Sequence, residues 1–248
     1  MDSHELYAHR RDADEINAVE QYQSLTKHLT ETANRAEDFG RTFGSEEHCH
    51  ILGLLHDVGK ARRGFQEYIT SESGGEESSV PLDMRAHSSA GAAYVSSLTA
   101  PCGRALAYCI AGHHAGLPDW VGGENPNGSL VARIAEGRKA LSEREVAEFM
   151  SSREFYGLTD IMPSALGVSD LDGFAVSFWI RMLYSCLVDA DFLNTEKFMS
   201  SGRAAFRGGY PTLDVLNDMF FEKLNEKQRT SAPSCVAVIS TSGRSGPS

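Results

Sequence analysis

Apolar residues recur every three or four positions along most of this chain, and the strict alternation that marks a half-buried strand is scarce. From Asp14 to Phe43, the residues Ile16, Val19, Leu25, Leu29, Ala33, Ala36 and Phe39 fall at helical spacing, and Gly40 and Gly44 close the segment. Ser45 suits the N-cap of a second helix, with Glu46 and Glu47 in its first turn, where the helix dipole favours anions. That helix is expected to reach Val58 and stop at Gly59. The same spacing predicts helices over Lys60–Thr70, His87–Leu98, Arg104–Ala111, Leu130–Met150, Phe174–Leu193 and Leu213–Lys227. Ser71–Pro81, Gly116–Gly128 (which holds Trp120) and Ser151–Asp172 read as irregular segments. The expected class is all-α, a helical bundle, and a site in such a fold lies between helices.

Phe174–Leu193 is the most apolar stretch, but it contains Arg181, Asp189 and Asp191. A membrane span needs about 20 largely uncharged residues, so this segment reads as a core helix and no membrane partner is expected. From Ser231 the chain turns Ser/Gly/Pro-rich around a small apolar patch, Val236–Ile239. We therefore expect one domain over 1–230 and a flexible tail or linker over 231–248. Five scattered cysteines without a CxxC pair suggest reduced, buried thiols and a cytoplasmic location. A net charge of −11 argues against a broad electrostatic nucleic-acid surface. It leaves room for a small, metal-rich site acting on phosphates.

The candidate chemistry centres on His56-Asp57, within Leu54-Leu-His-Asp-Val-Gly-Lys60 at a helix end. Imidazole supplies a neutral nitrogen, and a carboxylate can bridge two ions. His28, His87, the pair His113-His114, and Asp189 accompany it. Taken singly, a histidine on an amphipathic helix is ordinarily a packed or surface residue, and Asp189 could pair with Arg181. Paired histidines before a Gly/Pro turn have no evident packing purpose, and an unpartnered carboxylate in an apolar helix is costly unless a metal takes it. His4, His9, His48 and His50 receive the ordinary packing reading.

His28, His56-Asp57 and Asp189 match the order of the HD phosphohydrolase superfamily. The segments His87-Ser-Ser-Ala-Gly-Ala, Gly112-His-His-Ala-Gly-Leu-Pro118 and Asp189-Ala-Asp-Phe-Leu-Asn-Thr-Glu196 resemble the HD nuclease domain of the CRISPR-associated helicase–nuclease of type I systems, as do Tyr7-Ala-His9 and Gly59-Lys-Ala-Arg-Arg-Gly-Phe-Gln66. The resemblance spans residues 7 to 200. It implies two divalent transition-metal ions: one on His28, His56, Asp57 and Asp189, the other on Asp57, His87, His113 and His114, with Asp57 shared. Imidazole-rich ligation favours Mn, Fe, Co or Ni over Mg. No GxxxxGK[ST] loop occurs, so a superfamily 2 helicase would act from outside these residues, in cis or in trans.

The reading that follows is metal-dependent cleavage of single-stranded DNA, with activated water rather than a Ser or Cys side chain as nucleophile. Asp57 and Lys60 are the expected catalytic residues, and Lys60, Arg62 and Arg63 could meet substrate phosphates. Trp120 and Phe65 could stack on bases, with a core role preferred for Phe65. The partners implied are single-stranded DNA, the helicase, an RNA-guided surveillance complex and an inhibitor protein. The alternative is an HD phosphohydrolase of small nucleotides using the same chemistry. A third reading, a docking module with a relic histidine cluster, predicts little bound metal, or bound metal without turnover.

Overall fold

A computed structural model describes residues 5–11, 21–71, 86–98, 101–123, 126–152, 173–208 and 210–230. The chain enters through two short antiparallel strands, β1 (Tyr7–Arg10) and β2 (Tyr22–Ser24). The rings of Tyr7 and Tyr22 pack across them at 4.8 Å. The helix expected from Asp14 begins instead at Leu25, as α1 (Leu25–Gly40). The physical reason is a competing set of partners. Leu25 N–H donates to Leu6 O at 2.7 Å and Arg11 N–H to Gln21 O at 2.9 Å, so the backbone before Leu25 pairs with β1. Gln66 pins the other edge of β1, its amide accepting from Tyr7 N–H and donating to Tyr7 O.

The remaining helices are α2 (Glu46–Leu55), α3 (Arg63–Thr70), α4 (Ser88–Ser96), α5 (Pro101–Gly112), α6 (Leu130–Leu141), α7 (Arg144–Ser151), α8 (Gly173–Met199), α9 (Ser201–Ala205) and α10 (Leu213–Thr230). The class is all-α, as the spacing predicts, with the strand pair as its one departure among the described residues. Leu130–Met150 forms two helices rather than one. Ser142 breaks it: its hydroxyl donates to Arg138 O at 3.0 Å and so diverts a carbonyl from the helix.

The core forms where α1 meets α2, α8 lies across α1, α2 and α5, and α4 packs between α5 and α6. Leu25, Leu29, Leu52, Leu55, Leu106, Ile110, Leu183 and Leu187 are fully buried there. Each such leucine contributes about 1.5–3 kcal/mol over its exposed state. Two glycines set distances the site depends on. A Cβ on Gly53 would strike the Ala33 backbone, so α1 and α2 can approach closely only without one. A Cβ on Gly59 would strike the His87 carbonyl, so the turn after α2 and the start of α4 lie against each other.

By length and composition α8 could cross a membrane, but its stripe of Trp179, Leu183, Cys186, Leu187 and Ala190 is buried, and the helix packs on α1, α2 and α5. Cys49, Cys102, Cys109 and Cys186 are buried thiols outside any disulfide among the described residues. The chain divides into a unit ending at Ala204 and a second from Ala205. In the second unit α10 leaves Val215, Leu216, Met219, Phe220 and Phe221 exposed. The expected tail, 231–248, lies outside the described residues, as does His4.

Candidate metal centre

α2 ends at Leu55, His56 continues in helical conformation, and Asp57 turns out of it into the short 3-10 turn Val58–Ala61. Both side chains are fully buried. His28 approaches from the first turn of α1, His87 from the residue before α4, and His113 and His114 from the turn that follows α5. Asp191 approaches from α8. Two sets of potential ligand atoms result, each within 4.8 Å of one another: His28, His56, Asp57 and Asp191, and then Asp57, His87, His113 and His114.

Asp57 belongs to both sets through different oxygens. Its Oδ2 lies 3.3 Å from His28 Nε2 and 3.4 Å from His56 Nε2. Its Oδ1 lies 3.3 Å from His113 Nε2 and 3.6 Å from His87 Nε2. Asp191 Oδ1 stands 3.4 Å from His28 Nε2 and 3.6 Å from His56 Nε2.

The hydrogen bonds behind these atoms show what they are prepared to receive. His28 Nδ1 donates to Asn194 Oδ1 at 2.9 Å, His56 Nδ1 to Gly53 O at 2.8 Å, and His113 Nδ1 to Ile110 O at 2.7 Å. Each bond occupies Nδ1 and turns Nε2, the atom that can take a metal or a proton, toward the centre. The Nε2 atoms of His28 and His56 are only 3.2 Å apart, and those of His87 and His114 2.9 Å apart. Lone pairs at such separation repel unless a cation, proton or metal, lies between them. Asp57 Oδ1 and His113 Nε2 are buried without a hydrogen bond, and Asp57 Oδ2 faces the Lys60 ammonium at 2.7 Å. Buried polar atoms without partners are rare and costly. The donor set therefore fits divalent metal, with imidazole nitrogen and carboxylate oxygen in both halves.

The electrostatics agree. Burial raises the Asp57 pKa, but Lys60, His56 and His87 outweigh it and hold Asp57 well below the carboxylate range. Burial opposes charge on His56, yet Asp57 and Asp191 lift it to about 10. Burial also opposes charge on Asp191, and His56 overcomes it to lower the pKa. Burial lowers His28, and burial with His113 lowers His114 to about 4.

The HD domain family matches residues 25–147. The match covers a little under half of the chain. HD domains are metal-dependent hydrolase modules, and every histidine of the centre, with Asp57, lies inside the matched segment. Asp191 lies beyond it. No curated protein matches the chain.

Against the expected site, the HD domain brings together His28, His56, Asp57, His87, His113 and His114. Asp189 is the correction: it is exposed on α8, and Asp191 occupies the centre. Two residues along a helix turn about 200°, so the two aspartates of Asp189-Ala-Asp191 face opposite sides. Lys60 is at the centre, its Nζ 2.7 Å from Asp57 Oδ2. Arg62 is instead committed to Glu143, 2.6 Å away across the fold, and to Ala86 O at 3.0 Å. Arg63 is exposed and pairs with Glu67 one turn along α3 at 2.6 Å. Phe65 is buried against the His87 ring at 5.2 Å, whereas Trp120 is 40% exposed with Arg104 lying 4.7 Å over its ring.

Four contributors were not legible: His9, Gln23, Glu31 and Asn194. Lys60 Nζ donates to His9 Nε2 at 3.1 Å, His9 Nδ1 to Gln23 Oε1 at 2.8 Å, and Gln23 Nε2 to Asn194 Oδ1 at 2.8 Å. Asn194 Nδ2 donates in turn to Glu31 Oε2 at 2.8 Å. A donor-only ammonium at one end and an acceptor-only carboxylate at the other fix every direction in this chain. It thereby sets the Nδ1–H tautomer of His9 and turns Asn194 Oδ1 toward His28. The Tyr7-Ala-His9 motif was the available signal for His9; nothing in spacing marks Asn194.

Proposed function

We propose that this HD domain is a metal-dependent nuclease that hydrolyses phosphodiester bonds of single-stranded DNA, the activity used in type I CRISPR interference. The supporting observation is the sharing of Asp57: one buried carboxylate turns one oxygen to each of two histidine-rich ligand sets. Divalent ions held there would supply Lewis acidity and lower the pKa of water toward neutrality. His28, His56, Asp57 and Asp191 would hold one, and Asp57, His87, His113 and His114 the other. Lys60, buried between His9 and Asp57, keeps an ammonium against the shared carboxylate and would face charge developing on the phosphoryl group.

Openness favours a polymer. His114 is exposed and His87 is partly so. Directly after His114, a cavity of about 650 Å³ opens between Ala115, Gly116, Pro118, Asp119 and Arg133. The resemblance of Gly112-His-His-Ala-Gly-Leu-Pro118 to the CRISPR-associated nuclease adds to this reading. A helicase in cis or in trans and an RNA-guided surveillance complex belong to the same proposal.

The second reading is hydrolysis of small nucleotides by the same residues. It draws on the net charge of −11 and on the commitment of Arg62 to Glu143, which together leave a long strand few cations beside Lys60. Incubation with circular single-stranded DNA in Mn, Co, Ni or Mg, with EDTA and Asp57→Ala controls and dNTP hydrolysis in parallel, separates the two. We expect transition-metal-dependent cutting of the circle that Asp57→Ala abolishes. Phosphate release from dNTP with an intact circle would overturn the nuclease reading.

A further inference from the structure

The chain is acidic overall, yet three cations surround one cavity of about 220 Å³ beside the centre: Arg11, Lys27 and Lys197. Among the described residues the one acid lining it is Glu31, which already accepts from Asn194 and lies 3.5 Å from Lys197. Gln23 and Asn194 form the wall toward His28. Phe198 carries the Arg11 guanidinium 4.3 Å above its ring, which restricts the plane of that fork.

The cavity is placed by the elements that place the first ligand set. Lys27 precedes His28 on α1. Asp191, Asn194 and Phe198 share one face of α8 by their i, i+3, i+7 spacing. From Asp191 to Lys197 the helix rises about 9 Å. A stacked strand advances about 3.4 Å per phosphate, so the cavity lies two to three phosphates from an ester at the centre.

We infer that this cavity is a phosphate subsite, in which Arg11, Lys27 and Lys197 hold a backbone phosphate of the nucleic-acid strand flanking the one cleaved. The inference rests on the nuclease reading. Its contacts are to phosphate alone, so it grips without regard to sequence. It would supply the affinity that an acidic surface otherwise withholds.

The test is Lys27→Gln/Lys197→Gln in the full chain loaded with Mn. Single-stranded DNA cleavage would be followed as KM and kcat across a salt series, with bis(p-nitrophenyl) phosphate, too small to reach the cavity, as the control ester. Losing this one phosphate contact should shallow the dependence of log(kcat/KM) on log salt by up to about 0.7. We expect KM for the strand to rise roughly fivefold to tenfold at low salt, with kcat and control-ester hydrolysis within about twofold and the metal content unchanged. An unchanged KM and salt slope would overturn the subsite. So would an equal loss on the control ester, because the lysines would then act on the centre rather than on the strand. If the wild type hydrolyses dNTP and leaves DNA intact, the nuclease reading fails by itself. The cavity would then stand as a phosphate site if the double variant raises KM for dNTP, and fall if it does not.

Discussion

The two halves of the centre share Asp57 and differ in almost everything behind it. In the first half, His28 and His56 are fully buried, Asp191 is 17% exposed, and His28 is tied through Asn194 to Gln23 and Glu31. In the second, His113 is buried, His87 is 20% exposed and His114 lies open to solvent, with its Nε2 turned to His87. Ligands braced by further hydrogen bonds keep their orientation and hold metal more tightly. Ligands at the surface exchange and admit substrate. The first half is built to retain a metal and the second to admit substrate.

The largest effect should come from the residue the halves share. Asp57→Ala removes an oxygen from both, so metal content measured after dialysis should fall from the two ions proposed per chain toward none. Hydrolysis should fall by at least about 10³-fold, roughly 4 kcal/mol of transition-state stabilisation. A variant retaining one tightly held ion would show that the halves do not depend on a common ligand.

The next contrast separates the two aspartates of α8. Asp191→Asn should weaken one ion of the pair by about 100-fold or more in a competition titration, while Asp189→Asn should stay within about twofold of wild type. The reverse result would place Asp189, not Asp191, in the first half. Smaller again is the loss of bracing. Asn194→Ala leaves every ligand in place but frees the His28 ring, and should cost about 10-fold to 100-fold in affinity for the first ion alone. An equal loss for both ions would mean that Asn194 supports the fold rather than one half.

The last effect is graded with pH, and at any one step of a pH unit it is only about tenfold. Asp57 and Asp191 lift His56 to about 10, so without metal it holds a proton at pH 7, and an entering ion must displace it. His114, lowered to about 4, is already neutral. Affinity for the first ion should therefore climb about tenfold per pH unit between 6 and 8, whereas His114 adds no such dependence to the second. Parallel slopes for both ions would erase the distinction.

Periodicity carried most of the helices because each buries one apolar stripe, and a stripe is written into spacing. It misplaced the start of α1, since the pairing of β1 with β2 is decided by residues distant in the chain. Six of the seven expected ligands lie in the centre because their neighbours are distinctive: a His-Asp at a helix end and a His-His before a Gly/Pro turn. Asp189 failed because a carboxylate in an apolar helix announces a need for a partner without saying which side of the helix the partner occupies. Arg62 failed for a related reason. A cation following the His-Asp motif was equally able to meet a phosphate or Glu143, which is 81 residues away.

By itself, then, the sequence determined the helical class, the kind of ligand atoms, and the positions of the histidines along the chain, because these depend on local spacing and residue chemistry. Tertiary structure decided that Asp57 faces two ways, that Asp191 rather than Asp189 completes the first half, and that His9, Gln23 and Asn194 stand behind the ligands. Those choices depend on the rotation of α8 against α1 and on strands meeting across the fold. Both are set by packing between elements far apart in the chain.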